Sequence, residues 1–157
     1  MDDYRIRRAT PADTDSIERL LPRLADFPAT PRLKPEDVWR YDAKVLDEWS
    51  EGGRPETWVQ VAIDEQDRVV GAAIGTLTTD SFTEQLCVHL EVVVIDQRAD
   101  GQGLGRRLMA TIEADGRAQG ASVMSLNVMV ENERARAIYQ RLGFDEEMIR
   151  ASKFIAP

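Results

Sequence analysis

The sequence has little of what a disulfide or a metal site requires. It contains one cysteine, Cys87, and one histidine, His89, in 157 residues. A single cysteine excludes an internal disulfide and a paired-cysteine zinc site, and a single histidine excludes a multi-histidine metal site. A G-x-S-x-G serine elbow is also missing. We therefore expect no metal cofactor and no nucleophile of the serine-hydrolase type.

Long apolar runs are missing as well. No stretch approaches the ~20 apolar residues that a membrane span needs, and the first residues, MDDYRIRRAT, lack the apolar core of a signal peptide. We therefore expect a cytoplasmic protein without a membrane partner. The net charge of −8 argues against nucleic-acid binding, which needs a basic face. It is compatible with a cationic substrate, although ordinary solubility is the commoner reason for such a charge.

Hydrophobic periodicity predicts a single domain over residues 1–157, in which helices alternate with strands. The predicted elements are a strand at 3–9, helices at 10–26 and 36–50, strands at 57–63, 68–77 and 87–95, a helix from 104 to Gly120, a strand at 122–130, a helix at 132–142, and one or two closing strands within 144–155. This β-α-α-β-β-β-α-β-α-β order indicates an α/β or α+β fold with one sheet flanked by helices. Two glycines in the 68–77 strand suggest a bulge or a close backbone approach.

A glycine-rich loop, RADGQGLGRR at residues 98–107, lies between a β-branched strand and a helix. Glycines at such a junction leave backbone N–H groups pointing outward at the positive end of the helix dipole, which favours an anion such as phosphate. Neither register of the loop completes the dinucleotide pattern G-x-G-x-x-G, and no glycine precedes a lysine as in a Walker A loop. A tight strand-to-helix turn with no ligand is the alternative.

Two segments together resemble the GNAT superfamily of N-acetyltransferases. HLEVVVIDQRADGQGLGRRLM is similar to the family's strand, glycine loop and helix, and LNVMVENERARAIYQRLGF is similar to its second signature. The matching positions of the second signature are Asn132, Ala135, Ile138, Tyr139, Gly143 and Phe144. The resemblance implies a mixed, mostly antiparallel sheet and acetyl transfer from acetyl-coenzyme A (acetyl-CoA). A homodimer is an expectation from the family only.

The resemblance also implies where acetyl-CoA would bind. Its pyrophosphate would lie on the loop amides of Gly101, Gln102, Gly103, Leu104, Gly105 and Arg106. Its pantetheine arm would pair along the strand edge formed by Val93, Val94 and Ile95. Asn132 would either contact the cofactor or serve only as a helix N-cap.

One position departs from the family's pattern. When Gly103 and Gly105 are the paired glycines, the family's Gln/Arg position is held by Asp100. When Gly101 and Gly103 are paired, that position is Arg98, but the helix then begins two residues too early. We prefer the first register. An aspartate beside a pyrophosphate would be repulsive unless it points away.

The chemistry of acetyl transfer indicates a base and an acid. Glu91 is the candidate base because it interrupts an apolar strand, where a lone carboxylate is costly unless it is functional; a surface-facing glutamate is the alternative. Tyr139 is the candidate acid by resemblance, since a phenol can protonate the leaving thiolate; a core tyrosine is the alternative. The amide of Val93 or Val94 is the candidate donor to the developing oxyanion.

Cys87, His89 and Glu91 alternate along one strand and therefore share a face. Covalent catalysis by the cysteine is disfavoured, because neighbours two apart stand side by side and not in a relay. His89 is either an auxiliary base or a strand histidine with a structural partner.

The leading hypothesis is direct transfer of an acetyl group to a primary amine of a small molecule or a peptide. The alternative is a non-catalytic acyl-CoA-binding regulatory module, motivated by Asp100. The acceptor would be set by the loops at 27–35 and 78–86 and by the second helix, which carries Trp39, Tyr41 and Trp49. These tryptophans are more often core residues.

Overall fold

Five strands form one mixed sheet in the computed structural model, which describes residues 3–156. They are β1 (Arg5–Arg8), β2 (Thr57–Ile63), β3 (Val69–Thr79), β4 (Leu86–Ile95) and β5 (Val123–Leu126). Their order across the sheet follows their order in the chain, and every neighbouring pair is antiparallel except β4 and β5. The predicted mixed, mostly antiparallel sheet is therefore confirmed.

Helices cover both faces of this sheet. They are α1 (Thr14–Glu18), α2 (Pro35–Ser50), α3 (Leu104–Ala118) and α4 (Glu133–Arg141). One core cluster joins α1 and α2 to the sheet through residues such as Ile17, Leu46 and Val92. The other joins α3 to the opposite face through residues such as Leu90 and Leu108, and Tyr139 of α4 packs against it. No helix within residues 3–156 is both long and apolar enough to cross a membrane.

The predicted helix at 10–26 is wrong as a single element. It is divided into a 3-10 helix at Pro11–Asp13, α1, and a second 3-10 helix at Leu21–Ala25. Pro22 explains the break, because its ring would clash with the carbonyl four residues earlier and it has no N–H to donate. That carbonyl belongs to Glu18, where α1 ends. The second 3-10 helix brings Arg23 to the glycine loop.

The C-terminal part departs from the prediction in two ways. β5 spans four residues instead of the predicted 122–130, and residues 144–156 form neither strand nor helix. The closing strands predicted within 144–155 are therefore absent. Three consecutive acids at 145–147 open this segment, and Glu146 forms an ion pair with Arg136 of α4 at 2.7 Å. Four apolar side chains of the segment are exposed: Met148, Ile149, Phe154 and Ile155.

The glycines of β3 allow α3 to approach the sheet closely. A Cβ added at Gly75 would overlap Cγ2 of Ile112, which is fully buried on α3. A Cβ at Gly71 would lie 2.8 Å from Cδ1 of Ile95. The register between β2 and β3 also shifts beside Gly71, where Val70 of β3 has no partner on β2. Both outcomes suggested by these glycines, a bulge and a close backbone approach, are therefore confirmed.

We expect Gly75→Ala to lower the free energy of unfolding by about 1–3 kcal/mol, because the added methyl group overpacks the contact with α3. Urea denaturation would measure the change. In the double variant Gly75→Ala/Ile112→Ala, the loss should be clearly smaller than the sum of the two single losses, since Cγ2 is then removed. Additive losses would contradict the proposed contact.

Candidate active site

Glu91 is the extra residue of a β-bulge in β4. Ile74 of β3 pairs with Val92 and the next residue, Gly75, pairs with Leu90, so Glu91 has no partner on β3. A bulge of this kind changes which face the following side chains take. Leu90 packs in the α3 cluster and Val92 packs in the cluster of α1 and α2, although residues two apart on a regular strand share one face. The half-buried Glu91 lies at this switch.

The strands β4 and β5 part directly after the bulge. Their parallel pairing runs only from Cys87 with Val123 to Leu90 with Leu126. Beyond it, residues 92–95 of β4 pair with β3, and residues 91–95 have no strand on the other side within the described part of the chain. The predicted pantetheine edge at Val93, Val94 and Ile95 is therefore an open strand edge. It also explains why β5 is short, because its partner bends away.

The glycine loop leads from this open edge into α3. Helix α3 begins at Leu104 with Gly103 as its N-cap, in agreement with the preferred register of the glycines. Gly101 and Gly103 have φ angles of 77° and 71°, which favour glycine, and a Cβ at either would meet no atom within 4 Å. The space above the loop is therefore clear of side chains at both positions.

Six consecutive amides of the loop have no acceptor. Within residues 3–156, no carbonyl or side chain receives a hydrogen bond from the N–H groups of residues 101–106, and the first bond at this helix end runs from Arg107 N–H to the Gly103 carbonyl. These groups lie at the positive end of the helix dipole, and the exposed side chain of Arg106 adds a charge. An arrangement of this kind suits a phosphate or diphosphate group.

Asp100 does not face this loop as an unpaired charge. Its carboxylate forms an ion pair with Arg23, with 3.2 Å between Nη2 and Oδ2. Arg23 also donates a hydrogen bond to the carbonyl of Ile95. The hydrogen bond between Arg23 and Asp100 raises the pKa of the Arg23 guanidinium. Arg98, the alternative position, forms its ion pair with Asp96 at 3.0 Å. The repulsion expected from Asp100 is therefore offset by a cation that sequence reasoning missed.

Asn132 and Tyr139 both belong to the second signature: Asn132 precedes α4 as its N-cap, and Tyr139 lies near the C-terminal end of the helix. Tyr139 packs against the α3 cluster and meets Phe144 edge to face, with 5.9 Å between the ring centroids. Burial raises the pKa of its phenol, so the hydroxyl stays protonated at neutral pH. That hydroxyl has no hydrogen-bond partner within residues 3–156. Asn132 caps α4, because its Oδ1 accepts the N–H of Ala135 at 3.2 Å.

Cys87 and His89 both contact Ser125 of β5. The Cys87 thiol is 1% exposed and lies 3.3 Å from the Ser125 hydroxyl, and Nδ1 of His89 lies 2.8 Å from the same hydroxyl. No direct contact joins the thiol to the imidazole in the described residues. This arrangement agrees with a histidine that has a structural partner, and it leaves the cysteine inaccessible to a substrate.

A further carboxylate, Asp42 of α2, lies within reach of the charge of Glu91. Asp42 is 9% exposed, and burial together with the charge of Glu91 raises its pKa to about 7. Sequence reasoning missed it. The available signal was its position on the apolar stripe of α2, three residues after Trp39 and three before Val45.

Of the aromatic residues expected near an acceptor, Trp39 and Trp49 pack against the core and Tyr41 is 60% exposed.

Comparison with known proteins agrees with this geometry. The sequence profile of the Acetyltransferase (GNAT) family matches residues 21–144. The chain belongs to the GNAT acetyltransferase family. It is therefore an N-acetyltransferase, an enzyme that transfers an acetyl group to an amine. The comparisons give no support to the alternative of a non-catalytic acyl-CoA-binding module.

Individual proteins that are similar to this chain are also acetyltransferases. The chain is 28% identical over 110 residues to the ribosomal protein bS18-alanine N-acetyltransferase of Salmonella typhimurium, which covers 68% of this chain and 70% of that one. A candidate acetyl transferase from Pyrococcus furiosus has the same fold, with a TM-score of 0.79 at 20% identity over 98% of this chain and 100% of that one. An aminoglycoside N-acetyltransferase solved in complex with CoA gives a TM-score of 0.73 at 18% identity, covering 99% and 96%.

The raised pKa of Asp42 predicts a pH-dependent stability difference. The carboxyl titrates near 3.8 when unfolded and near 7 when folded, so the folded state holds the additional proton between these values and wild-type stability falls as pH rises through them. Asp42→Asn has no such proton to lose. Relative to wild type, its free energy of unfolding should therefore rise between pH 4 and pH 7, by up to about 4 kcal/mol.

Urea denaturation at pH 4.5 and pH 8 would test this difference. Glu36→Gln is the matched control, since Glu36 is an exposed carboxylate on the same helix. A gain for Asp42→Asn that is equal at both pH values would contradict the raised pKa.

Proposed function

We propose that this N-acetyltransferase uses acetyl-CoA as donor and transfers the acetyl group directly to a primary amine of a small molecule or a peptide. The observation that carries the proposal is the run of six unpaired amides at residues 101–106 next to the open edge of β4. A backbone cradle followed by an open strand edge suits a ligand that combines a diphosphate with an amide-containing arm. CoA has both parts.

The proposed donor site uses main-chain groups for most of its contacts. The amides of Gly101, Gln102, Gly103, Leu104, Gly105 and Arg106 would bind the pyrophosphate. The edge of Val93, Val94 and Ile95 would pair with the pantetheine arm, and the Val93 or Val94 amide would stabilise the oxyanion. Asn132 is assigned only through its side-chain N–H group, because its Oδ1 already caps α4. Arg23 supports the loop by neutralising Asp100.

Glu91 is proposed as the base that removes the proton of the acceptor. An alkylamine with a pKa of about 10.4 is neutral in only about one molecule in ~2,500 at pH 7. A positioned carboxylate that removes the ammonium proton would therefore accelerate the reaction. The bulge places Glu91 where the two strands begin to part, beside the proposed pantetheine edge. The amine nitrogen, once deprotonated, attacks the acetyl carbonyl carbon. The carbon–sulfur bond then breaks, and the nitrogen loses its second proton to water as the amide forms.

Tyr139 is proposed as the acid that protonates the departing thiolate. Its half-buried phenol is protonated at neutral pH, and its hydroxyl has no hydrogen-bond partner within residues 3–156. The phenol gives its proton to sulfur and regains one from water, which balances the second proton that the nitrogen releases; the first proton passes from Glu91 to solvent. A cytoplasmic location, a homodimer and the lack of nucleic-acid or membrane partners stay predictions from the sequence.

We expect acetyl-CoA to bind with micromolar affinity in calorimetry and the Gly103→Val variant to lose this binding. The valine side chain would fill the clear space above the amides and disfavour the left-handed backbone. Gly52→Val is the matched control, because Gly52 has a similar φ of 82°, an equally open surrounding and no part in the site. Equal loss in both variants would indicate misfolding, and wild type that does not bind would refute the donor site.

We expect Glu91→Gln to lower kcat by about 10²- to 10⁴-fold, the range of general-base catalysis, with little change in the Kd of acetyl-CoA. Tyr139→Phe should lower kcat while its packing against Phe144 and the stability of the protein are retained. Thiol release with a panel of primary amines would measure both. Activity close to wild type in Glu91→Gln would remove Glu91 as the base.

A further inference from the structure

Asp42 is a buried carboxylate without a partner. Three aspartates are buried in the described part of the chain, and two of them are paired. Asp13 binds Arg7 through two hydrogen bonds of 2.8 and 3.0 Å. Asp64 binds Arg68 at 2.7 Å and accepts two backbone N–H groups. Asp42 has no hydrogen bond and no ion pair within residues 3–156.

A carboxylate in this position is costly for the fold. Asp42 lies on the stripe of α2 that packs against β4, between Trp39 and the fully buried Val45 and Leu46. An ionised group among such neighbours loses its hydration and receives no compensating bond. The one charged side chain whose field reaches it is Glu91, which is also negative and therefore adds to the cost. A leucine or an asparagine would serve the packing better.

The carboxylate is nevertheless not completely sealed from solvent. Neither oxygen of Asp42 is among the sealed, unpartnered side-chain atoms of the described residues, so both oxygens keep some contact with solvent. Asp42 lies on the stripe of α2 that packs in the same core cluster as Val92, the neighbour of the proposed catalytic Glu91, and the charge of Glu91 acts on it. Two such carboxylates with no cation between them attract a positive charge.

We propose that Asp42 is a specificity-determining residue that binds the acceptor amine as its ammonium ion, opposite Glu91. This inference rests on the proposed function, since it assigns the acceptor side of that same site. The acceptors it selects are alkylamines, which are charged at neutral pH, over aromatic amines, which are neutral.

The chemistry of the site follows from the charges. An ammonium ion that enters between the two carboxylates keeps Asp42 ionised and offsets the repulsion between them. Glu91 then takes the ammonium proton, and the neutral nitrogen attacks the acetyl carbon. The product is an uncharged amide, so the attraction that held the acceptor ends with the reaction. Asp42 therefore favours substrate over product, without itself taking part in bond formation.

Kinetics of Asp42→Asn would separate this role from a structural one. With the best alkylamine of a panel, we expect KM for the amine to rise about 10- to 100-fold, the effect of losing a charge-assisted bond. The Kd of acetyl-CoA should stay within about twofold and kcat should fall far less than in Glu91→Gln. With a neutral aromatic amine the rise in KM should be absent. Glu36→Gln, which removes an exposed carboxylate from the same helix, should change none of these values.

A second measurement does not depend on turnover. The side-chain carboxyl carbon of Asp42 can be assigned in NMR spectra by its loss in Asp42→Asn, and its titration can be followed with 1-butylammonium chloride as probe. The probe should lower the midpoint of Asp42, whereas 1-butanol and an equal concentration of sodium chloride should not. In the Glu91→Gln variant, the titration midpoint of Asp42 measured without the probe should already be lower than in wild type.

The two measurements distinguish the possible failures. If no amine is acetylated but 1-butylammonium lowers the Asp42 midpoint, the proposed function fails and the ammonium site stands. If amines are acetylated but Asp42→Asn has wild-type KM for alkylamines, or the probe leaves the midpoint unchanged, the ammonium site is refuted and the proposed function stands. Equal increases in KM for charged and neutral amines in Asp42→Asn would also refute the ammonium site, because they would indicate that Asp42 has only a packing role.

Discussion

The bulge at Glu91 is the constraint on which the site depends. One extra residue in β4 moves Leu90 and Val92 to opposite faces of the sheet, so that one strand serves two core clusters. The same residue ends the pairing with β5 and leaves residues 91–95 with an open edge. It also places a carboxylate where the strands part. In a regular β4, Leu90 and Val92 would lie on the same face.

The glycine loop depends on a balance of charges that comes from distant parts of the chain. Its six unpaired amides and the helix dipole attract an anion, and Asp100 within the loop would weaken that attraction. Arg23 removes the conflict by pairing with Asp100 and by donating to the Ile95 carbonyl. Arg23 reaches the loop because Pro22 ends the first helical segment and starts a 3-10 helix there.

At the proposed acceptor side, in contrast, charge is left unbalanced. Asp13 and Asp64 illustrate how this fold pairs buried carboxylates when they serve structure. Asp42 and Glu91 interact without such a cation, and the raised pKa of Asp42 is the electrostatic sign of that arrangement. Stability is given up at a position that a neutral side chain could fill, which is typical of residues kept for binding or catalysis.

By itself the sequence determined the local elements and the two signatures. Hydrophobic alternation identified four of the five strands closely, and the spacing of the glycines, Asn132 and Tyr139 identified the family. These features are readable because they depend on neighbours within a few residues of each other. The closing strands within 144–155 were predicted wrongly, because a strand needs a partner edge that periodicity cannot reveal.

Only the tertiary structure decided the contacts between residues far apart in the chain. Arg23 and Asp100 are 77 residues apart, and Asp42 and Glu91 are 49 apart, yet each pair interacts through the fold. The location of the bulge was equally hidden, because it is set by the register between β3 and β4 and by the close packing of Ile112 on Gly75. Charge compensation and register are properties of assembled strands and helices, and no local pattern encodes them.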